Sequence, residues 1–289
     1  MGIRNKAPRR AKQLGRTLSG ETGTLTAPLR MLPTFTVAGA QRSGTTSLYR
    51  SLMGHPLIQP AVLRKGVNYF DLNYHRGMRW YRGHFPLRAV AERRARHLPG
   101  SPVTFDSSGY YMFHPLAPER MAADLPQLKV VTMVRDPVER AYSAHRHAYA
   151  RGFETEPFEK AIELEPERLR GEVERICADP RYQSHSHRHQ AYVTRGQYVE
   201  QLERLLAVYP REQLLIVESE RFFEEPEIEF ERILRFLDLP VLMPPKFDRY
   251  NARPRSPMPD STHARLRSHF EKYDEGLARL LGHEPAWRR

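Results

Sequence analysis

Cysteine is nearly absent: Cys177 stands alone in 289 residues, so no intrachain disulfide can form, and no Cys-rich zinc pattern occurs. A disulfide-built secreted scaffold is excluded. Nor is there an apolar run near the ~18 residues of a spanning helix. Acidic residues are the minority, 34 against 46 Lys and Arg, which leaves a formal charge of +12 and implies anionic partners. Nucleic acid, acidic membrane, nucleotide phosphates and anionic polysaccharide all satisfy that charge, so local motifs must choose. With 40% hydrophobic and 28% charged residues, the chain reads as globular, with length for two average domains or one large α/β domain.

Residues 1–30 carry Arg4, Lys6, Arg9, Arg10, Lys12, Arg16 and Arg30 against the single acid Glu21. This predicts a flexible basic arm, solvated or in weak contact with an anionic surface. The arm lacks the apolar stretch of a signal peptide, and Lys6 stands where a myristoylation signal has Ser or Thr. A soluble cytoplasmic protein is expected, with residues 31–289 forming one domain.

From Thr34 the pattern is strand, glycine loop, helix, stop: a β-rich run to Gly39, a helix over Ser43 to Met53, then Gly54-His55-Pro56. Short apolar runs recur at Val103 to Phe105, Lys129 to Val134 and Gln213 to Val217. Segments of helical period lie between and after them, at Tyr198 to Val208, Glu227 to Leu237 and Ser261 to Leu281. The fold class this predicts is α/β, a P-loop-containing parallel sheet covered by helices on both faces.

Gly39-Ala-Gln-Arg-Ser-Gly44-Thr45-Thr46 has the two glycines of a Walker A loop at the right spacing. Its lysine is missing, since Thr45 takes that slot and Arg42 sits inside the loop. What is left is an anion cradle of backbone N–H groups at a helix N-terminus, hydroxyls and one guanidinium. A second cation follows a second strand, in Val130-Val-Thr-Met-Val-Arg135-Asp136-Pro137, and Ser143 lies two helical turns beyond Arg135. Ligands of open parallel sheets bind outside the strands' carboxyl ends, so Arg42 and Arg135 are expected to face one ligand.

Gln41 to Ser47 together with Val134 to Ser143 resembles the paired cofactor motifs of the sulfotransferase superfamily, which uses 3′-phosphoadenosine 5′-phosphosulfate (PAPS). Lys65-Gly-Val-Asn-Tyr-Phe-Asp71, Arg79-Trp-Tyr-Arg-Gly-His-Phe-Pro86, Phe113-His-Pro-Leu-Ala-Pro-Glu-Arg120, Arg195-Gly-Gln-Tyr198 and Phe236-Leu-Asp-Leu239 resemble, in order, segments of its carbohydrate branch, which includes heparan sulfate sulfotransferases. The likeness runs from Thr34 to Trp287. It implies sulfuryl transfer from PAPS to a hydroxyl of a carbohydrate, glycoconjugate or smaller metabolite. Arg42, Ser43, Gly44, Thr45, Thr46 and Ser47 would hold the 5′-phosphosulfate, and Arg135 with Ser143 the 3′-phosphate. Tyr198 joins the cofactor set, as does Arg253, from a loop with Arg249 and Arg255 that related proteins fold over the cofactor. Lys65 would stabilise sulfuryl oxygens. No metal is expected, because fixed N–H groups and guanidinium can neutralise the developing charge.

The resemblance breaks where the branch places its general base, a glutamate after the lysine: here Gly66 follows Lys65. Glycine cannot accept a proton. Asp106, Asp71 and His84 are the candidate substitutes, alongside transfer with no protein base. His185, His187 and His189 alternate with Ser186 and Arg188, a spacing that aligns three imidazoles if the segment is extended. A solvated loop, an acceptor-contacting loop and a metal site are the readings of that triplet. Two other functions compete: a P-loop kinase or hydrolase, against which the missing lysine argues, and a nucleic-acid binder, against which the dispersed basic residues argue. No nucleic-acid partner is expected.

Overall fold

The computed structural model describes residues 23–62, 64–244, 246–248 and 258–289. Five strands form one parallel sheet: β1 (Phe35–Gly39), β2 (Ile58–Pro60), β3 (Val103–Asp106), β4 (Lys129–Val134) and β5 (Leu214–Glu218), in the order β2-β3-β1-β4-β5. The helices are α1 (Thr45–Leu52), α2 (Gly77–Arg82), α3 (Arg88–Ala95), α4 (Ala117–Asp124), α5 (Pro137–Tyr149), α6 (Phe158–Leu169), α7 (Glu172–Ala178), α8 (His185–His189), α9 (Tyr198–Leu206), α10 (Ser219–Glu224), α11 (Pro226–Phe236) and α12 (Asp260–Leu281). None of the described helices is long and apolar enough to cross a membrane.

Alternation along the strands builds two cores. Val130 and Val134 of β4 point with Ala38 and Ile216 toward Tyr81, Met121, Leu202, Leu205 and Leu277, from α2, α4, α9 and α12. Val131 and Met133 point the other way with Val37 and Val217, toward Leu48, Leu52, Phe222, Phe230 and Ile233 of α1, α10 and α11. A two-residue period that is apolar in both phases is what a sheet covered on both faces requires. Each fully buried leucine among these contributes roughly 1.5–3 kcal/mol.

The four expected strands are present. β2 was not expected, because three residues containing Gln59 and Pro60 show no period. The first helix starts at Thr45 rather than Ser43, since Arg42 and Gly44 hold left-handed φ angles of 72° and 84°. Residues 23–30 of the expected basic arm pack against the fold. Arg30 donates to the Phe85 carbonyl (2.6 Å) and Arg82 donates to the Arg30 carbonyl (2.8 Å), and a Cβ on Gly23 would lie 2.2 Å from the Gly83 oxygen. Residues 23–30 are therefore docked on the end of α2; residues 1–22 lie outside the described residues. The histidine triplet is also corrected. Ser184 caps it by accepting from the His187 amide at 3.0 Å, and the segment is a short helix that buries His187 while His185 and His189 sit one turn apart. The three imidazoles do not share a face.

β1 lies between β3 and β4, where the winding of the sheet reverses. The β4–β5 register carries Val134 opposite Glu218, so the turns after β1, β4 and β5 open side by side at one edge. That edge is the expected ligand position for such a sheet.

Candidate active site

A cleft of about 840 Å³ opens at this edge. Its floor is the turn between β1 and α1. Gly44 is required there for its φ and for space, because a Cβ would meet the Phe223 ring at 3.1 Å. Arg42 keeps a left-handed backbone at a cost of about 1–2 kcal/mol and is held in place: its Nε donates to Ser143 Oγ at 3.1 Å, and its carbonyl accepts from Arg135 Nη1 at 3.4 Å. The turn thus links both candidate cofactor motifs directly. The first N–H groups of α1 have no intrahelical carbonyl to meet, and only from Ser47 and Leu48 do amides turn back, to the Gly44 carbonyl.

Lys65 reaches the same turn from the segment after β2. Its Nζ donates to Thr46 Oγ1 at 3.2 Å and Thr45 Oγ1 at 3.5 Å. Burial, with Arg50 nearby, lowers its pKa to about 8, so it is a cation at neutral pH. Around the rest of the cleft stand Arg146 and Arg151 near the end of α5, Arg188 of α8, and Arg195. Among the described residues, six arginines and one lysine line the cleft against one carboxylate, Glu220. Glu220 accepts from the Asp136 amide at 3.1 Å, and burial raises its pKa. Such a surplus of one sign in a concave site concentrates anions.

Of the expected site residues, Arg42, Gly44, Thr45, Thr46, Lys65, Arg135 and Ser143 line the cleft together. Ser43 and Ser47 are buried behind the turn, where the Ser43 carbonyl accepts from Ser219 Oγ and ties the turn to the end of β5. Tyr198 is buried below, its hydroxyl donating to the Arg135 carbonyl at 2.8 Å. It supports Arg135 rather than lining the cleft. Arg253, like Arg249 and Arg255, lies outside the described residues.

The proposed bases fare differently. Asp106 is wholly buried and is taken up by four donors: Val67 N (3.0 Å) and Ser108 Oγ (2.8 Å) on Oδ1, Tyr111 OH (2.6 Å) and Tyr81 OH (3.3 Å) on Oδ2. It fastens the Lys65 segment to β3 and does not line the cleft. Asp71 is also buried, accepting from Asn68 Nδ2 (2.8 Å) and Leu72 N (2.7 Å), and burial lifts its pKa to about 7. His84 packs edge-on against Trp80. Burial and then Arg64, Arg76 and Arg30 hold its pKa near 4, so it is a neutral core histidine outside the cleft.

Sequence reading missed the rear wall. Arg195 is buried, donates to Gln41 Oε1 and to the carbonyls of His187 (2.7 Å) and Arg188 (3.0 Å), and stacks over Tyr110 and Phe113. Arg146 and His147 were findable, since they follow Ser143 at spacings of 3 and 4 on the same helix, and Arg151 lies in the turn just beyond its end. His189 lines the cleft too, its pKa lowered to about 4 by burial and then by Arg188 and other cations.

Residues 32–253 match the family model described as a sulfotransferase domain. A 217-residue stretch is 32% identical to bifunctional heparan sulfate N-deacetylase/N-sulfotransferase 3 of Homo sapiens, covering 71% of this chain and 22% of that protein. The Drosophila melanogaster bifunctional heparan sulfate N-deacetylase/N-sulfotransferase is 30% identical over 227 residues, 73% of this chain and 20% of that one. The chain therefore spans about a fifth of the length of these curated relatives. A crystal structure of a sulfotransferase from Alicyclobacillus acidocaldarius superposes with a TM-score of 0.67 at 27% identity, over 89% of this chain and 99% of that one. The chain belongs to the sulfotransferase domain family, whose sulfuryl donor is PAPS.

Proposed function

We propose that the chain moves a sulfuryl group from PAPS to a hydroxyl or amine of a carbohydrate acceptor. The position of Lys65 carries this reading. The turn after β1 lacks the lysine of a nucleoside triphosphatase, and an ammonium from another segment sits on its Thr45 and Thr46 hydroxyls instead. That cation competes with the Mg²⁺ a phosphoryl-transfer enzyme would hold on the same hydroxyl. It suits a transfer in which fixed charges alone meet the growing negative charge.

PAPS, when bound, supplies an activated sulfuryl group on a phosphate leaving group. In this reading Arg42, Lys65 and the N–H groups from Gly44 to Thr46 hold its 5′ end, and Arg135 with Ser143 its 3′-phosphate. Arg146, Arg151 and Arg188 then face an anionic acceptor. The amine option comes from the relatives, named for heparan sulfate N-sulfation. His189 is the group placed to take the acceptor's proton: it lines the cleft, and burial, with Arg188 and other cations around it, keeps the imidazole neutral. An exposed free thiol, Cys177, suits a reducing compartment, and a cytoplasmic site of action is part of the proposal.

Titration with 3′-phosphoadenosine 5′-phosphate tests it. At 100 times its dissociation constant the nucleotide should add ~2.7 kcal/mol of stability, and Arg135→Ala should weaken binding far more than it slows transfer at saturating donor. His189→Gln should slow transfer and keep nucleotide affinity. Stabilisation by ATP with Mg²⁺ but not by the 3′-phosphorylated nucleotide would overturn the assignment.

A further inference from the structure

A second cavity of about 620 Å³ shares no lining residue with the cleft. Arg195 stands at the wall between them, since its guanidinium reaches Gln41 on the cleft side and covers the Phe113 ring, which lines the second cavity, at 4.6 Å. The cavity's sides are apolar, formed by Ile162 and Leu169 of α6, Val173 of α7 and Leu266 of α12; polar groups come from α9 and α12. Its size lies within the range of small-molecule pockets, about 300–1,000 Å³.

Arg204 of α9 is the anomaly. Its Nε is buried with no partner, and its Nη2 makes only a long 3.4 Å bond to the Phe113 carbonyl. Among the described residues it forms no ion pair. Glu200, one turn earlier and exposed, stabilises its charge from a distance while burial lowers its pKa. The other carboxylate on the wall, Glu165, is saturated by the amides of Tyr192, Val193 and Thr194 and the Thr194 hydroxyl. Arg265, also on the lining, adds a second cation at the exposed side. A partly desolvated guanidinium whose charge is met only by a carboxylate at a distance is costly, and an anion in the cavity beside it would supply the missing partner.

We propose that this cavity binds an amphipathic monocarboxylate, a medium-chain alkyl acid, with its carboxylate on Arg204 and its chain between Ile162, Leu169 and Leu266. A planar carboxylate matches the guanidinium fork. A cationic amphiphile would meet Arg204 and Arg265 with the wrong sign, and a neutral one would leave Arg204 uncompensated.

Calorimetric titration of the full chain with decanoate, below its micellar concentration, tests this with and without 3′-phosphoadenosine 5′-phosphate. One site is expected, titratable in both conditions, with affinity about tenfold or more above that of decanol and of decyltrimethylammonium, the difference one charge-assisted pair makes. Arg204→Gln should remove that preference. Val173→Trp changes a residue that is 42% exposed, so it should obstruct the cavity without disturbing the fold, and it gives a second reading should Arg204→Gln not fold. Both variants should keep wild-type nucleotide affinity. Equal binding of decanol and decanoate, displacement of decanoate by the nucleotide, or undiminished decanoate binding in Arg204→Gln or Val173→Trp would overturn the proposal.

Discussion

A Cβ on Gly66 would lie 2.5 Å from the carbonyl oxygen of Ser107 and 2.8 Å from the Ser108 hydroxyl. The glycine that stands where the carbohydrate branch has its glutamate is therefore a packing requirement of this chain. A glutamate here would have to push the Lys65 segment off the turn after β3. Gly66→Glu is expected to lose stability, by about 1–3 kcal/mol as for other overpacked sites, and to gain no turnover. A thermal melt beside a transfer assay decides; an unchanged melting temperature with a faster rate would show that the position still accommodates a base.

Asp106→Asn should behave as a structural lesion. All four donors on Asp106 are buried with it, and an amide in its place turns an NH₂ toward at least one of them. Leaving a buried donor unmet costs roughly 1–3 kcal/mol. The expected result is a lower urea midpoint, with nucleotide affinity retained by the folded fraction. Loss of turnover at unchanged stability would restore Asp106 as a candidate base.

The parts of the site legible in the sequence are those set by local chain geometry. Strand, glycine turn and helix N-terminus are contiguous, so Arg42, Gly44 and Thr45 could be assigned, and Arg135 with Ser143 followed from a strand entering a proline-started helix. The illegible parts depend on contacts distant in the chain. Gly66 is explained only by Ser107, and Asp106 looks catalytic until Val67 and Tyr81 are seen to surround it. Alternation in the histidine triplet suggests an extended segment, whereas the Ser184 cap, three residues before His187, makes it helical. Arg195 opens the Arg195-Gly-Gln-Tyr198 segment, but its partner Gln41 is 154 positions away. β2 escaped because three residues carry no period.

Asp71 should give the fold a pH dependence. Burial lifts its pKa to about 7 from an ordinary value of 3.8, so the folded form holds the proton more tightly than the unfolded chain. Its contribution to stability is largest below about pH 4, declines between about 4 and 7, where only the unfolded chain ionises, and is level above. Asp71→Asn removes the titration. Urea unfolding at pH 5 and pH 8 should show the variant gaining on wild type as pH rises, and a constant difference would mean that Asp71 is ionised in the fold throughout.

Lys65 should limit the reaction on the alkaline side. Its pKa of about 8 arises chiefly from burial and then from Arg50, so the free enzyme loses this cation as pH rises through that value. The pH dependence of kcat/KM for the donor reports ionisations of the free enzyme, and it should fall above about pH 8 on a single titration. Lys65→Arg carries a charge that does not titrate in this range, so its profile should stay level past pH 8 even if its plateau is lower. Lys65→Met should be slow and flat, down by about 10²-fold as for loss of one preorganised charge-stabilising donor. An amine acceptor does not mimic this limb, because losing a proton makes it a better nucleophile and raises the rate. If wild type and Lys65→Arg fall together above pH 8, the titrating group is another residue, and Lys65 serves only to hold Thr45 and Thr46.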